Sequence, residues 1–309
     1  MFDTIHLYLP EDRVSSTDLL AQTPLYLENI TELNRSGQYV ITGSMNNLKV
    51  TVSERGVSIK GSLAKYYLND NIQTLTRQDT EEAVSKLSDE IHLPVHEAHV
   101  SRIDFAHNFI MRYEPEIYYP YLGESQYFRR FSQPQSLYYK NGNRTKLFYN
   151  KPAEVKYRTE SLPEVWSGRN VLRYEIRYSR RLDKQLKEPE IRANTLYQEP
   201  FYIKLVKRYV TDYQSIHKNA QLHFDEKNMS TPKDFWLQLA LMKVDEIGQN
   251  RLMELVDEWR AKGLFSKPEY YSRLKKEIRD RSSKSQVSDS SVLIEELDKK
   301  VSATKRYYR

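Results

Sequence analysis

The stretch Lys140-Asn141-Gly142-Asn143-Arg144-Thr145-Lys146-Leu147-Phe148-Tyr149-Asn150-Lys151 decides how this chain folds. Asn141-Gly142 is a hairpin turn signal, and alternation follows it. As a strand, the segment puts Thr145, Leu147, Tyr149 and Lys151 on one face and Lys146, Phe148 and Asn150 on the other. A tyrosine and a lysine two residues apart then look into the same space. Two more strand-like stretches flank it, Val100 to Phe109 and Val171 to Tyr178, each with an acid at its centre. The hairpin therefore predicts an antiparallel sheet with carboxylates on its neighbouring strands.

Outward from this centre, the first half reads as strands interrupted by helices. Thr4 to Leu9 puts Ile5, Leu7 and Leu9 on one face. Ser16 to Leu33 is helical in pattern, capped at Ser16 or Thr17. Tyr39 to Thr42, Leu48 to Ser53 and Val57 to Lys60 are short strands, with Glu54-Arg55-Gly56 as a hairpin turn. Thr80 to Ile91 is an amphipathic helix with Val84, Leu87 and Ile91 on one side. Glu114 to Arg130 also reads as helix, and the Tyr138 and Tyr149 strands follow it. Two rounds of helix plus antiparallel strands predict an α+β domain, a large antiparallel sheet covered on one side by helices. After Arg180 the pattern turns helical, at Asn194 to Lys218, Pro232 to Ala261 and Pro268 to Arg281. Thr231, Pro232 and Asp234 form a helix start. The expected division is a catalytic domain over 1–185, a helical domain over 186–281, and 282–309 as Ser-rich linker, short helix and basic tail.

Composition narrows the function. The chain has no cysteine, which removes disulfides, zinc–thiolate sites and a Cys nucleophile. Met1 to Leu9 alternates like a strand instead of a signal peptide, and no apolar run approaches a membrane span. The expected location is the cytoplasm, with no membrane partner. The 48 Lys and Arg exceed the 42 Asp and Glu by six, and five of those six fall from Ser266 onward, where 12 basic residues meet 7 acidic. A basic end suits an anionic partner, although a solvated helix face would look the same. Tyrosine is abundant, at 24 residues. Its ring and polar tip suit stacking on bases and contact with phosphate, and equally suit half-buried strands and helices. There is no Walker loop, dinucleotide fingerprint or Gly-x-Ser-x-Gly.

The acid-bearing strands carry the chemistry. On one, Ile103, Phe105 and His107 share a face opposite Arg102, Asp104 and Asn108. On the other, Leu172, Tyr174 and Ile176 lie opposite Arg173, Glu175 and Arg177. If both polar faces meet Tyr149 and Lys151, the site holds two carboxylates, a tyrosine and several cations. Carboxylates select a hard divalent ion, magnesium or manganese, which polarises a phosphoryl oxygen. Tyrosine is a covalent nucleophile that needs activation at its usual pKa of about 10, and a cation such as Lys151 could lower it. Arg-x-Asp and Arg-x-Glu-x-Arg could instead be cross-strand ion pairs on a solvated face. His92, His96, His99 and His107 lack the helical His-Glu-x-x-His geometry and read as loop or strand-end residues.

These motifs, Ser101-Arg102-Ile103-Asp104, then Thr145 through Lys151, then Leu172-Arg173-Tyr174-Glu175-Ile176-Arg177 followed by Leu182, resemble the ordered motifs of phage and plasmid replication initiators of the gene II/X family. The segment Ile59 through Asn71 is similar to that family as well, and the likeness spans about residues 1–185. The resemblance implies a rolling-circle enzyme that nicks and rejoins one DNA strand through a 5′-phosphotyrosine and frees a 3′-OH primer. It implies Tyr149 as nucleophile with Lys151 beside it, Asp104 and Glu175 as metal ligands, and Lys65 and Asn71 as DNA-holding residues. Arg102, Arg144, Lys146, Arg173 and Arg177 are further expected DNA contacts. Tyr138, Tyr139 and Tyr157 are reserve nucleophiles. Many rolling-circle enzymes place His-hydrophobic-His on a strand, and this chain has no such pair. The helical third is expected to bind DNA or to recruit a host helicase or polymerase. Two other roles suit the same strands: a non-catalytic nucleic-acid-binding protein, and a relaxase or transposase using the same chemistry.

Overall fold

Nine antiparallel pairings join ten strands into one sheet, and the Tyr149 strand lies toward one end of it. The computed structural model of the chain describes residues 1–14, 18–35, 37–159, 162–219, 230–247, 249–282 and 292–308. Its strands are β1 (Phe2–Pro10), β2 (Glu28–Arg35), β3 (Gln38–Met45), β4 (Leu48–Ser53), β5 (Gly56–Ser62), β6 (His99–Met111), β7 (Leu122–Ser125), β8 (Arg129–Gln133), β9 (Ser136–Lys140), β10 (Arg144–Asn150), β11 (Asn170–Tyr178) and β12 (Ile216–Lys218). The helices are α1 (Leu19–Gln22), α2 (Leu63–Leu68), α3 (Arg77–Ile91), α4 (Lys151–Tyr157), α5 (Leu182–Leu186), α6 (Ala193–Leu196), α7 (Glu199–Gln214), α8 (Pro232–Ile247), α9 (Gln249–Ala261), α10 (Pro268–Ser282) and α11 (Val292–Ala303). The sheet runs β2-β3-β4-β5-β1-β6-β11-β10-β9-β8, so the fold class is α+β as expected.

Contacts divide the chain into two compact units, Met1–His217 with Glu296–Arg309, and Lys218–Glu295. The boundary expected near residue 185 falls inside the first unit. The reason is α7, whose buried Tyr202, Tyr209 and Tyr213 belong to the core of the sheet. Phe148 stacks on Tyr174 at 4.4 Å, Tyr174 meets Tyr209 at 4.5 Å, and Phe105 meets Tyr209 at 5.9 Å. From Glu296 onward α11 also belongs to this unit. Glu296 accepts from the Tyr118 hydroxyl (2.6 Å), and Asp298 from that of Tyr213 (2.6 Å). The second unit is α8 to α10, packed around Val256, Tyr271 and Ile278. Thr231 and Asp234 bond to each other at its first helix start, as the sequence predicts.

Several local readings are corrected. The helix predicted over Ser16 to Leu33 shrinks to the four residues of α1, capped by Asp18, and gives way to a 3-10 turn at Thr23–Tyr26 and then to β2. Pro24, which has no N–H to give a helix interior, marks the break. The cap predicted at Ser16 or Thr17 lies outside the described residues. Glu114 to Arg130 is a 3-10 turn, Pro115–Tyr121, followed by β7 and β8, and Pro120 ends the helical run. Asn194 to Lys218 is α6, α7 and the short β12, and Pro232 to Ala261 is two helices. Gly56 opens β5 at φ +144°, where a Cβ would meet the Leu9 carbonyl at 2.3 Å. The predicted linker largely coincides with 283–291, outside the described residues. The predicted basic tail begins inside a 3-10 turn, Thr304–Tyr308, and Arg309 is outside the described residues. Among the described residues no helix is long and apolar enough to cross a membrane.

Candidate active site

Register brings the three central motifs onto one face. Asp104 pairs with Arg177, Glu175 with Leu147, and Arg173 with both Tyr149 and Asn108. Because paired residues in a sheet share a face, β6, β11 and β10 hold Asp104, Arg177, Glu175, Arg173 and Tyr149 together. The Tyr149 hydroxyl donates to Glu175 Oε2 (3.2 Å). The same carboxylate accepts from Arg173 Nε (3.2 Å) and Arg177 Nε (2.6 Å). Arg102 grips both oxygens of Asp104, at 2.8 and 2.6 Å, and Arg177 Nε lies 3.7 Å from Asp104 Oδ2. Arg173 also pairs with Asp3, and one of its nitrogens donates to the Asn71 carbonyl (2.9 Å).

Lys151 joins the cluster by a route that alternation does not describe. β10 ends at Asn150, whose side chain accepts from Ala153 N–H and caps α4, with Pro152 in its first turn. Lys151 is thus a helix residue, 1% exposed on its side chain, donating to Asn71 Oδ1 and Glu154 Oε2, both at 2.8 Å. Its ammonium lies 6.0 Å from the centre of the Tyr149 ring. Beside it opens a cleft of about 560 Å³ lined by Lys65, Asn69, Asp70, Asn71, Ile72, Val155 and Pro163.

Burial dominates the electrostatics. It raises the Tyr149 phenol well above its ordinary value; Arg173 opposes this, while the negative charges of Glu175, Asp3 and Glu154 add to it. Desolvation of the phenolate thus outweighs the cations nearby. Burial, then Arg173, also lowers Lys151. Burial pushes Asp104 up, to about 6, with Glu175 adding to the rise against the pull of Arg102 and Arg177. Burial acts on Glu175 in the same sense, but the charges of Arg177 and Arg173 prevail and hold it at about 2.

As arranged, these donors do not fit a divalent ion. Three acids, Asp3, Asp104 and Glu175, face three guanidinium groups, Arg102, Arg173 and Arg177. The cluster carries no surplus negative charge, and both predicted ligands already accept from arginine. Among the described residues, no group of three or more His, Asp or Glu side chains could hold a metal ion. The ion pairs are real, but the close ones to Asp104 and Glu175 run along a strand, Arg102 to Asp104 and Arg173 and Arg177 to Glu175, with Arg177 reaching across to Asp104 at 3.7 Å. The acids and Arg173 are buried while Arg102 and Arg177 stay partly exposed.

Of the residues predicted, the structure gathers Asp104, Tyr149, Lys151, Glu175, Asn71, Arg102, Arg173 and Arg177, with Lys65 on the cleft wall. Lys146 and Arg144 are not with them. They point to the opposite face, where Lys146 is fully buried and Arg144 pairs with Asp212 at 2.7 Å. Among the reserve tyrosines, Tyr139 is buried on that opposite face, bonded to the carbonyls of Leu122 and Gly123. Tyr157 is exposed on α4. Tyr138 shares the site face, across from Leu147. His92 ends α3, and His99 lies 3.5 Å from Glu190. The residue that sequence reasoning missed is Asp3. Counting by twos from Ile5 would put it on the apolar face, but a bulge between Phe2 and Ile5 turns it to the polar one.

Residues 1–212 match the family model that describes the N-terminal region of the replication-associated gene II protein. No curated protein matches the chain.

Proposed function

Because the chain belongs to this family of gene II-type phage replication initiators, we propose that it starts replication by nicking and rejoining one DNA strand with Tyr149 as nucleophile. The observation that carries this reading is the Tyr149 hydroxyl, bonded to Glu175 among Arg173, Arg177 and Lys151. In the forward step Tyr149 Oη attacks the phosphorus. A tyrosine–phosphorus bond forms to the 5′ phosphate, and the bond from phosphorus to the 3′ oxygen breaks. Glu175 Oε2 accepts the phenol hydrogen bond and orients the hydroxyl. The phenol proton leaves to water as the bond to phosphorus forms, and the freed 3′ oxygen takes a proton from solvent, leaving a 3′-OH. The cations stabilise charge on the phosphoryl oxygens as they pass through the five-coordinate state. Rejoining is the reverse. The adjoining cleft, with Lys65 and Asn71 on its wall, supports entry of the strand from that side.

The test is a nicking assay on supercoiled DNA of the replicon that encodes the protein, in EDTA and with added magnesium or manganese. Wild type is expected to give nicked circles and a covalent adduct mapping to Tyr149. Tyr149→Phe is expected to lose both while keeping its melting temperature. An adduct that persists in Tyr149→Phe removes this tyrosine as nucleophile. Three observations favour a second reading, DNA binding without cleavage: Tyr149 is buried, its phenol is raised, and both acids are paired with arginines. Origin-specific binding with no nick in any metal condition would establish it.

A further inference from the structure

Beyond Tyr149, the same sheet face continues over two more strands and changes character. Across β10, β9 and β8 the rows run Thr145–Lys140–Arg129, Leu147–Tyr138–Phe131 and Tyr149–Ser136–Gln133. Thr145 is in turn paired with Arg177. The first row is thus a line of cations, Arg177, Lys140 and Arg129, reaching from the site to the sheet edge. Lys140 and Arg129 are exposed, and neither has an acidic partner among the described residues. In the second row Phe131 and Tyr138 stack flat, 4.8 Å apart with 2° between their planes. Phe131, on the edge strand, is 36% exposed. By strand spacing and rise, Tyr138 lies about 8 Å and Phe131 about 12 Å from Tyr149, backbone to backbone.

We propose that this outer face of β8–β10 is a subsite for single-stranded DNA, holding nucleotides next to the scissile phosphate. The bases continue the Phe131–Tyr138 stack, and the phosphates follow Arg129, Lys140 and Arg177. Flat aromatics beside a cation row are what a sequence-tolerant single-strand groove requires, because every base has a stacking face and every phosphate a charge. Edge-strand charges also guard a sheet against unwanted pairing. That purpose accounts for Arg129 on the edge strand β8, but neither for Lys140 on β9 nor for the aromatic stack beside them. The inference rests on the reading of the Tyr149 face as the DNA face.

Binding of the full chain to a fluorescent 12-mer of thymidylate, read by anisotropy over a salt series, tests it. This probe has no origin to cleave, so affinity is read apart from nicking. Phe131→Leu keeps an apolar side chain and removes the ring, and is expected to weaken binding roughly five- to a hundred-fold. Arg129→Gln with Lys140→Gln is expected to lower the salt slope by about 1.4, two phosphate contacts at ~0.7 each. All three side chains are exposed, and both variants are expected to melt like wild type. Affinity within twofold in Phe131→Leu, or an unchanged slope in the charge variant, overturns the proposal. Either result leaves the nicking assay standing. Conversely, loss of oligonucleotide binding in a protein that never nicks supports this face while the catalytic reading falls.

Discussion

Lys146 provides a direct test of which face of β10 does what. Its ammonium is fully buried and donates to Ser125 Oγ (3.0 Å), the Asp212 carbonyl (2.8 Å) and Ser215 Oγ (2.7 Å). At about 1.5–3 kcal/mol for each bond from a charged donor, a simple sum for Lys146→Met would reach roughly 5–9 kcal/mol. The geometry argues for less. Ser215 Oγ still donates to the Asp212 carbonyl (2.8 Å), and the Asp212 carboxylate keeps Arg144 at 2.7 Å. The Ser125 hydroxyl loses the partner shown, the Asp212 carboxylate loses its longer 4.0 Å pair with Lys146, and the Phe128 ring loses the ammonium 4.4 Å from its centre, while the desolvation cost of a buried ammonium is recovered. A net loss of about 1–3 kcal/mol follows, lowering the melting temperature of the first unit by roughly 2–12 °C. Because Lys146 faces away from Tyr149, oligonucleotide affinity should stay within twofold. Calorimetry and anisotropy on the same preparation check both. An unchanged melting temperature with weakened, less salt-dependent DNA binding would refute the structural role.

Two further outcomes are expected. Asp104 is raised from 3.8 to about 6, so proton binding there contributes stability that is complete below about pH 3.8 and lost as pH rises through 6. Glu175, shifted the opposite way to about 2, contributes stability above its ordinary value and loses it only as pH falls toward 2. The excess stability of wild type over Asp104→Asn, from urea midpoints between pH 4 and 7, should therefore shrink as pH rises, and a flat difference would contradict this account. Truncation after Arg281 should lower the melting temperature of the first unit by more than about 10 °C. It deletes Leu297 and Val301, both fully buried and worth about 1.5–3 kcal/mol each, with the partners of Tyr118 and Tyr213. Unchanged melting would show that α11 is dispensable. Charge-only changes at Lys305 and Arg306 are the cleaner probe of a phosphate-binding tail.

The legible parts of this fold were those in which a local rule and the tertiary structure agree. Alternation found β6, β10 and β11 because each has one face in the core and one on the site, so that a single parity sorts Ile103 from Asp104 and Tyr174 from Glu175. The Thr80 to Ile91 helix was legible for the same reason, and its capping box at Thr76 and Asp79 fixes the start. Parity failed where the backbone departs from it. Lys151 reaches Tyr149 because Asn150 stops the strand and begins a helix, and the expected proximity arises from a cap instead of from a pleat. Asp3 was lost to a one-residue bulge, which no count by twos from Ile5 can anticipate. Its signal in the sequence was an acid at a position where strict alternation demands an apolar side chain. That mismatch has physical content: a buried carboxylate needs a cation, and Arg173, the only fully buried arginine among the described residues, lies across two strands. Charge pairing, which alternation ignores, sets the composition of the site. Arg173 is buried because Asp3 and Glu175 both face it, and Tyr149 is held beside Glu175 by the same arrangement. The nucleophile reading and the bulge at Asp3 are therefore coupled. Whatever straightens β1 between Phe2 and Ile5 would withdraw one of the two charges that keep Arg173, and through it Glu175, in position against Tyr149.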